Sequence, residues 1–333
     1  MADIMGQMFS SICPFSMFRL RYPALLLAFA NLAMAQSAKP APSTDAAPGA
    51  QKAIKLAQTG HCEEALPTLR RATPRLGDKA AKRTAAFAGV RCAMLLNQVE
   101  TALDFLRLLN RDFAGDPEVL AVSVHTYSDL STRAAQQLAV TAPNSVEARK
   151  LDAEALEAQG KWDAAEKEYK SILQEDPKLA GIHFLLGRLL LSKPDPGPTA
   201  GEEAKKEFQE ELKIDPANGG AEYVLGEMAR QDSQWDQAIQ HFSRATQLDA
   251  GFADAYLGLG TALLSAKRFS EAIPPLQTAV KLEPRNPGAH YNLATALTRA
   301  GRREEAEKEF AIHRQMTQKG EGGQQAPEPT SPN

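Results

Sequence analysis

The sequence predicts an all-α solenoid of antiparallel helix pairs. The pattern of residues 253–286 (ADAYLGLGTALLSAKRFSEAIPPLQTAVKLEPRN) recurs at a spacing of 34 residues in 219–252 and 287–320. A period of that length marks stacked copies of one supersecondary unit. Within the unit, the apolar residues read as two short amphipathic helices about a tight turn. Hydrophobic residues make up 43% of the chain but aromatics only 6%. The apolar surface is therefore mostly Ala and Leu, which favour helix and permit close helix packing.

The amino terminus reads as a targeting signal. Arg19 and Arg21 precede an apolar run over 24–30, and small residues follow at Ala33 and Ala35. This charged, apolar, small-residue order is that of a secretory signal peptide over 1–35, with cleavage between Ala35 and Gln36. The run is far shorter than the roughly 20 residues of a membrane span, so the mature chain is expected to carry no integral span. Met17, just before the basic pair, is a second candidate start. The expected location is periplasmic or secreted.

Residues 36–50 are rich in Pro, Ala, Ser and Thr and read as a disordered linker. Residues 51–145 read as degenerate repeats. Gly60, Cys62, Ala65, Leu69 and Ala72 mark one unit, and Gly89, Val90, Ala93, Val99, Ala102, Leu106 and Leu109 a second. Residues 118–145 are shorter than a full unit, with a turn expected at 128–131. Export implies an oxidising compartment. The register puts Cys62 at the opening of one helix and Cys92 mid-way along the next but one, where adjacent units should meet. That favours a Cys62–Cys92 bridge, and two buried free thiols are the other reading.

Five clear units follow, at 146–179, 180–218, 219–252, 253–286 and 287–320. The second carries five extra residues in SKPDPGPTAGEE (192–203), whose three prolines exclude regular helix there. The last helix, RREEAEKEF, is polar, as a terminal capping unit requires. Residues 321–333, rich in Gly, Gln and Pro, read as a disordered tail.

These units resemble the tetratricopeptide repeat. The matching positions are Tyr256, Leu259, Gly260, Leu263, Phe269, Ala272, Ala279 and Pro284 in one unit. They are Leu225, Gly226, Ala229, Trp235, Ala238, Phe242 and Ala245 in another. The last unit matches at Leu293, Ala294, Leu297, Gly301, Ala306 and Phe310, and the unit at 146 at Leu156, Gly160, Trp162, Ala165, Tyr169 and Pro177. The resemblance covers about 46–320 and is weakest before 146. It implies a right-handed superhelix whose first helices line a concave groove. The fifth residue of each unit would face that groove: Lys150, Phe184, Tyr223, Leu257 and Tyr291, with Arg188, Glu227, Arg230 and Arg299 on the same side. An aromatic strip with charged borders suits an extended peptide or a partner helix.

The residues assemble no catalytic set. The six His are scattered, and none has a metal-ligand partner at helical spacing. Gly258 and Gly260 lack both the third glycine and the preceding strand of a dinucleotide fingerprint. A net charge of -3, without a basic stripe interleaved with aromatics, gives no case for nucleic acid. The expected function is an exported, non-enzymatic scaffold without cofactor, binding a protein or peptide through the groove. A second reading is a structural or assembly factor of the cell envelope acting through the convex face or the termini. A third is a non-catalytic subunit of an envelope enzyme.

Overall fold

A computed structural model describes residues 46–321. The signal peptide with its Ala35/Gln36 cleavage point, residues 36–45 of the linker and residues 322–333 of the tail lie outside the described residues. Among the described residues there are fifteen α-helices and no strand. The chain divides into two compact units, the boundary falling between residues 148 and 149.

The first unit holds α1 (Ala46–Gln58), α2 (Cys62–Ala72), α3 (Lys79–Leu95), α4 (Val99–Asp112) and α5 (Pro117–Thr141). Its core joins Leu66, Leu69, Ala85, Cys92, Phe105, Leu106 and Leu109. Cys62 on α2 and Cys92 on α3 are joined by a disulfide, both buried. Two expectations fail here. Residues 46–50 are not linker but the start of α1, and Ala50 is buried in the core. Residues 128–131 are not a turn but the middle of α5. They contain no Gly or Pro, the Thr132 hydroxyl donates back to the Ser128 carbonyl, and Arg133 pairs with Asp129 one turn away.

The second unit contains five helix pairs. They are α6 (Val146–Ala158) with α7 (Trp162–Glu175), α8 (Ile182–Ser192) with α9 (Ala200–Ile214), α10 (Gly219–Gln231) with α11 (Trp235–Leu248), α12 (Ala253–Ser265) with α13 (Phe269–Leu282), and α14 (Pro287–Arg299) with α15 (Arg303–Glu321). The insertion is loop only over 193–199. Residues 200–203 form the first turn of α9, because the prolines stop at Pro198 and Ala200 is buried. Glu321, assigned to the tail, is the last residue of α15.

Two local devices recur. The first is a close approach inside four of the pairs. A methyl placed on Gly89, Gly187 or Gly226 would stand 2.5, 2.9 or 2.8 Å from the ring of Phe105, Phe208 or Phe242, and one on Gly260 would overlap Leu276. Only a minimal side chain lets the facing residue seat. A bulkier one would overpack the contact, at about 1–3 kcal/mol.

The second device ends the first helix of a pair. The amides of His61, Gln98, Lys161, Gln234, Arg268 and Arg302 each donate to the carbonyl five residues earlier, at 2.8–2.9 Å. The residue before each amide is left-handed: Gly60, Asn97, Gly160, Ser233, Lys267 and Gly301 have φ between +55° and +88°. This six-to-one closure satisfies carbonyls that the helix end leaves free. Gly adopts the left-handed region without strain, whereas a side chain there costs about 1–2 kcal/mol. Lys267→Gly is therefore expected to raise the stability of the second unit by about 0.5–1 kcal/mol in denaturant unfolding, while Gly301→Val lowers it. Unchanged stability in both variants would mean that the turn is set by something other than backbone strain.

Candidate functional site

The groove residues expected from the repeat register are largely packing residues. Tyr223 is only 9% exposed, with its ring 5.7 Å from that of Phe242 and 4.9 Å from that of Phe252. Burial holds its phenol well above the ordinary range. Glu227 is buried and tied to Arg230 at 2.7 Å. Phe184 wedges its ring against Phe208, 5.6 Å centre to centre, over the backbone of Gly220. Tyr223 and Glu227 are thus buried, while Phe184 and Arg230 are half-buried in the gaps between successive helix pairs. The register reading missed this because facing the groove and filling the seam beside it share one helix position.

The remaining candidates divide. Arg188 on α8 reaches back to Glu157 on α6 at 3.1 Å, and Glu157 also accepts from the Tyr169 hydroxyl at 2.6 Å. That makes Arg188 a tie between adjacent pairs. Leu257 is half-buried against the core of the last two pairs. Lys150 on α6 is half-buried. Tyr291 is half exposed over Phe310 and His313, and Arg299 lies 5.9 Å from the Phe269 ring centre. Tyr291 and Arg299 are the members that reach solvent most fully.

Polar ties span four of the five pairs of the second unit. Arg149 meets Glu168, His183 meets Glu207, Glu222 meets His241 and His290 meets Glu309, at 2.5–2.7 Å, each joining first helix to second. His183 and His290, equivalent in the repeat, are thus helix-contact residues. Glu211, fully buried on α9, accepts from the amides of Gly181 at 2.8 Å and Phe184 at 3.3 Å and from the Asn218 side chain at 3.1 Å. A carboxylate placed on the free amides of α8 satisfies donors the helix itself cannot. Its signal in the sequence was a glutamate three residues after Phe208, on the same inward face of α9.

A concave site occurs in the first unit. α1, α3 and α5 border a cleft of about 700 Å³. Ile54, Phe87, Met94, Leu95 and Val122 give it an apolar lining, and Arg91, His125, Asp129 and Arg133 give it polar edges. Leu95 is among the most exposed large apolar residues. The α5 wall is held by Arg83, whose guanidinium binds Asp116 at 3.0 and 3.2 Å and Glu118 at 2.6 Å. Asp116 also caps α5, accepting from the amides of Glu118 and Val119. The region was weakly marked in the sequence because its repeats are degenerate. Among the described residues, no group of three or more His, Cys, Asp or Glu is placed to hold a metal ion, and no helix is long and apolar enough to cross a membrane.

The fold and this surface define a helical repeat protein of the kind that presents side chains to a partner. Two sequence models, each described as tetratricopeptide repeat, match it. One matches residues 263–319 and the other 129–180, 153–197 and 223–287, so these stretches are tetratricopeptide repeats. No curated protein sequence matches the chain. Among solved structures, a crystal structure of MamA is 24% identical, covering 51% of this chain and 96% of its own, with a TM-score of 0.46. A fragment of MamA from Desulfovibrio magneticus RS-1 is 19% identical, covering 54% and 97%, at 0.45. YrrB, described as a TPR protein with an unusual peptide-binding site, is 20% identical, covering 55% and 92%, at 0.46. These likenesses span about half of the chain and say nothing of its ligand.

The Arg83 guanidinium, with the two amides of α5, holds the Asp116 carboxyl below its usual range. A depressed carboxylate contributes stability above the unfolded value, near about 4, and loses it as pH falls through the folded value. Acid titration of the first unit's helicity should therefore be shallower below about pH 4 in Asp116→Asn than in the unsubstituted chain. Identical titrations would show that this cluster does not hold α5.

Proposed function

We propose that this chain is an exported, non-enzymatic scaffold that captures a peptide or helix of a protein partner in the cleft of its first unit. The observation that carries the reading is the cleft itself. It has an apolar lining, polar edges of both signs and α5 fixed as one wall by Arg83. Apolar anchors placed between orienting polar groups are how peptide grooves combine affinity with register. The tetratricopeptide repeats of the second unit support it as a rigid helical stack whose pairs are tied internally by His–Glu and Arg–Glu contacts.

The test is selection of peptides from a displayed library against the full chain, followed by fluorescence polarisation. Leu95→Glu with Arg91→Glu is expected to weaken the selected peptide roughly tenfold or more. Tyr291→Ala with Arg299→Ala is expected to leave it unchanged. The reverse pattern would move the site to the second unit.

Export rests on the basic pair, apolar run and small residues of 1–35. Cell fractionation with amino-terminal sequencing is expected to find a chain beginning at Gln36 outside the cytoplasm. A chain retaining residues 1–35 in the cytoplasm would overturn that part of the reading.

A further inference from the structure

α5 is the last helix of the first unit and, unlike α1/α2 and α3/α4, has no pair mate there. Three sides of it are distinguishable. Val119, Ser123 and Thr126 are buried, with the Asn110 amide of α4 donating to the Ser123 hydroxyl at 3.1 Å. His125, Asp129 and Arg133 face the cleft. The third side carries Leu120, Val124, Tyr127, Ser131, Ala134 and Leu138. Leu120 is 51% exposed, Val124 65% and Tyr127 49%.

That third side has a regular spacing. Its members alternate four and three residues apart, the 3.5-residue repeat that keeps one seam facing a second helix. No charge falls in the seam, and Ala121, Ser128, Ala135 and Ala139 on its outer flank are all small and uncharged. The helix's mid-length charges, Asp129 and Arg133, lie on the cleft side instead.

The seam is also self-complementary in size. Under a two-fold axis at the level of residue 129, Leu120 meets Leu138 of a second copy, Val124 meets Ala134 and Tyr127 meets Ser131. Large faces small in the two central layers, so the side chains can interdigitate. The outer flank meets its own Ala and Ser residues, so no like charges oppose. Self-complementarity about a two-fold axis is the requirement of an isologous dimer, and a foreign helix would impose no such symmetry.

We propose that α5 is a self-association helix, pairing antiparallel with α5 of a second copy along Leu120, Val124, Tyr127, Ser131, Ala134 and Leu138. The seam spans about 27 Å. A two-helix contact of that length buries less than the standard interface of about 1,600 Å², so the dimer belongs to the weak, concentration-dependent class.

Sedimentation velocity of the full chain across the micromolar range tests it. A shift from one to two copies is expected, with Val124→Lys and Tyr127→Glu each weakening dimerisation roughly tenfold or more. Both positions are exposed, so thermal unfolding followed by circular dichroism should stay unchanged and exclude misfolding as the cause. Orientation is read by oxidative crosslinking relative to the unsubstituted chain. Antiparallel pairing brings the two copies of position 131 within about 6 Å along the helix axis and keeps those of position 139 about 30 Å apart. Ser131→Cys should therefore form crosslinked dimers and Ala139→Cys should not. Equal crosslinking at both positions would overturn the antiparallel register. A chain that stays monomeric throughout would overturn the proposal.

Discussion

Four of the helix pairs depend on one steric relation: a glycine on the first helix receives a large side chain from the second. The partner lies sixteen residues on in Gly89/Phe105, Gly226/Phe242 and Gly260/Leu276, and twenty-one on in Gly187/Phe208, where the insertion intervenes. This contact sets how deeply two helices interlock before any polar group is considered. In the Gly187 and Gly226 pairs, His183–Glu207 and Glu222–His241 then span a distance already fixed, at 2.5 and 2.7 Å. The left-handed closures act at the end of the first helix, turning the chain back so that the second can enter the groove prepared for it.

The same relation explains why so much of the architecture was legible. Gly226, Gly260 and Ala294 could be placed from the repeat resemblance, because close packing leaves only the smallest residues acceptable there. The turns were legible for a like reason, since Gly60, Gly160 and Gly301 occupy a backbone conformation other residues resist. Ser233 and Lys267 adopt it without that chemical marker, so there the repeat period, not the residue type, located the turn.

What escaped the sequence was the difference between facing a groove and filling a seam. Phe184 and Tyr223 occupy the groove position of their units, yet each ring turns into a neighbour supplied by the next segment, Gly220 in one case and Phe252 in the other. Glu211 was hidden because a buried carboxylate looks, in a helix rich in Glu and Lys, like one more surface charge. α5 was misdivided because shortness relative to the repeat suggested a turn, where Ser, Thr and Leu in fact continue the helix. Each miss concerns a choice made by tertiary neighbours between options the local sequence permits equally.

The loop of residues 193–199 replaces the left-handed closure used elsewhere, yet α8 and α9 pack with the same Gly187–Phe208 contact as their shorter counterparts. Lys193 anchors the start of the detour to Asp163 and Glu166 of the preceding pair, so the extra chain leaves from a fixed point. Connection length and helix register are thus decoupled at this junction. Evolution could lengthen the chain there without disturbing the stack, and the same junction is a natural port for a grafted epitope or reporter.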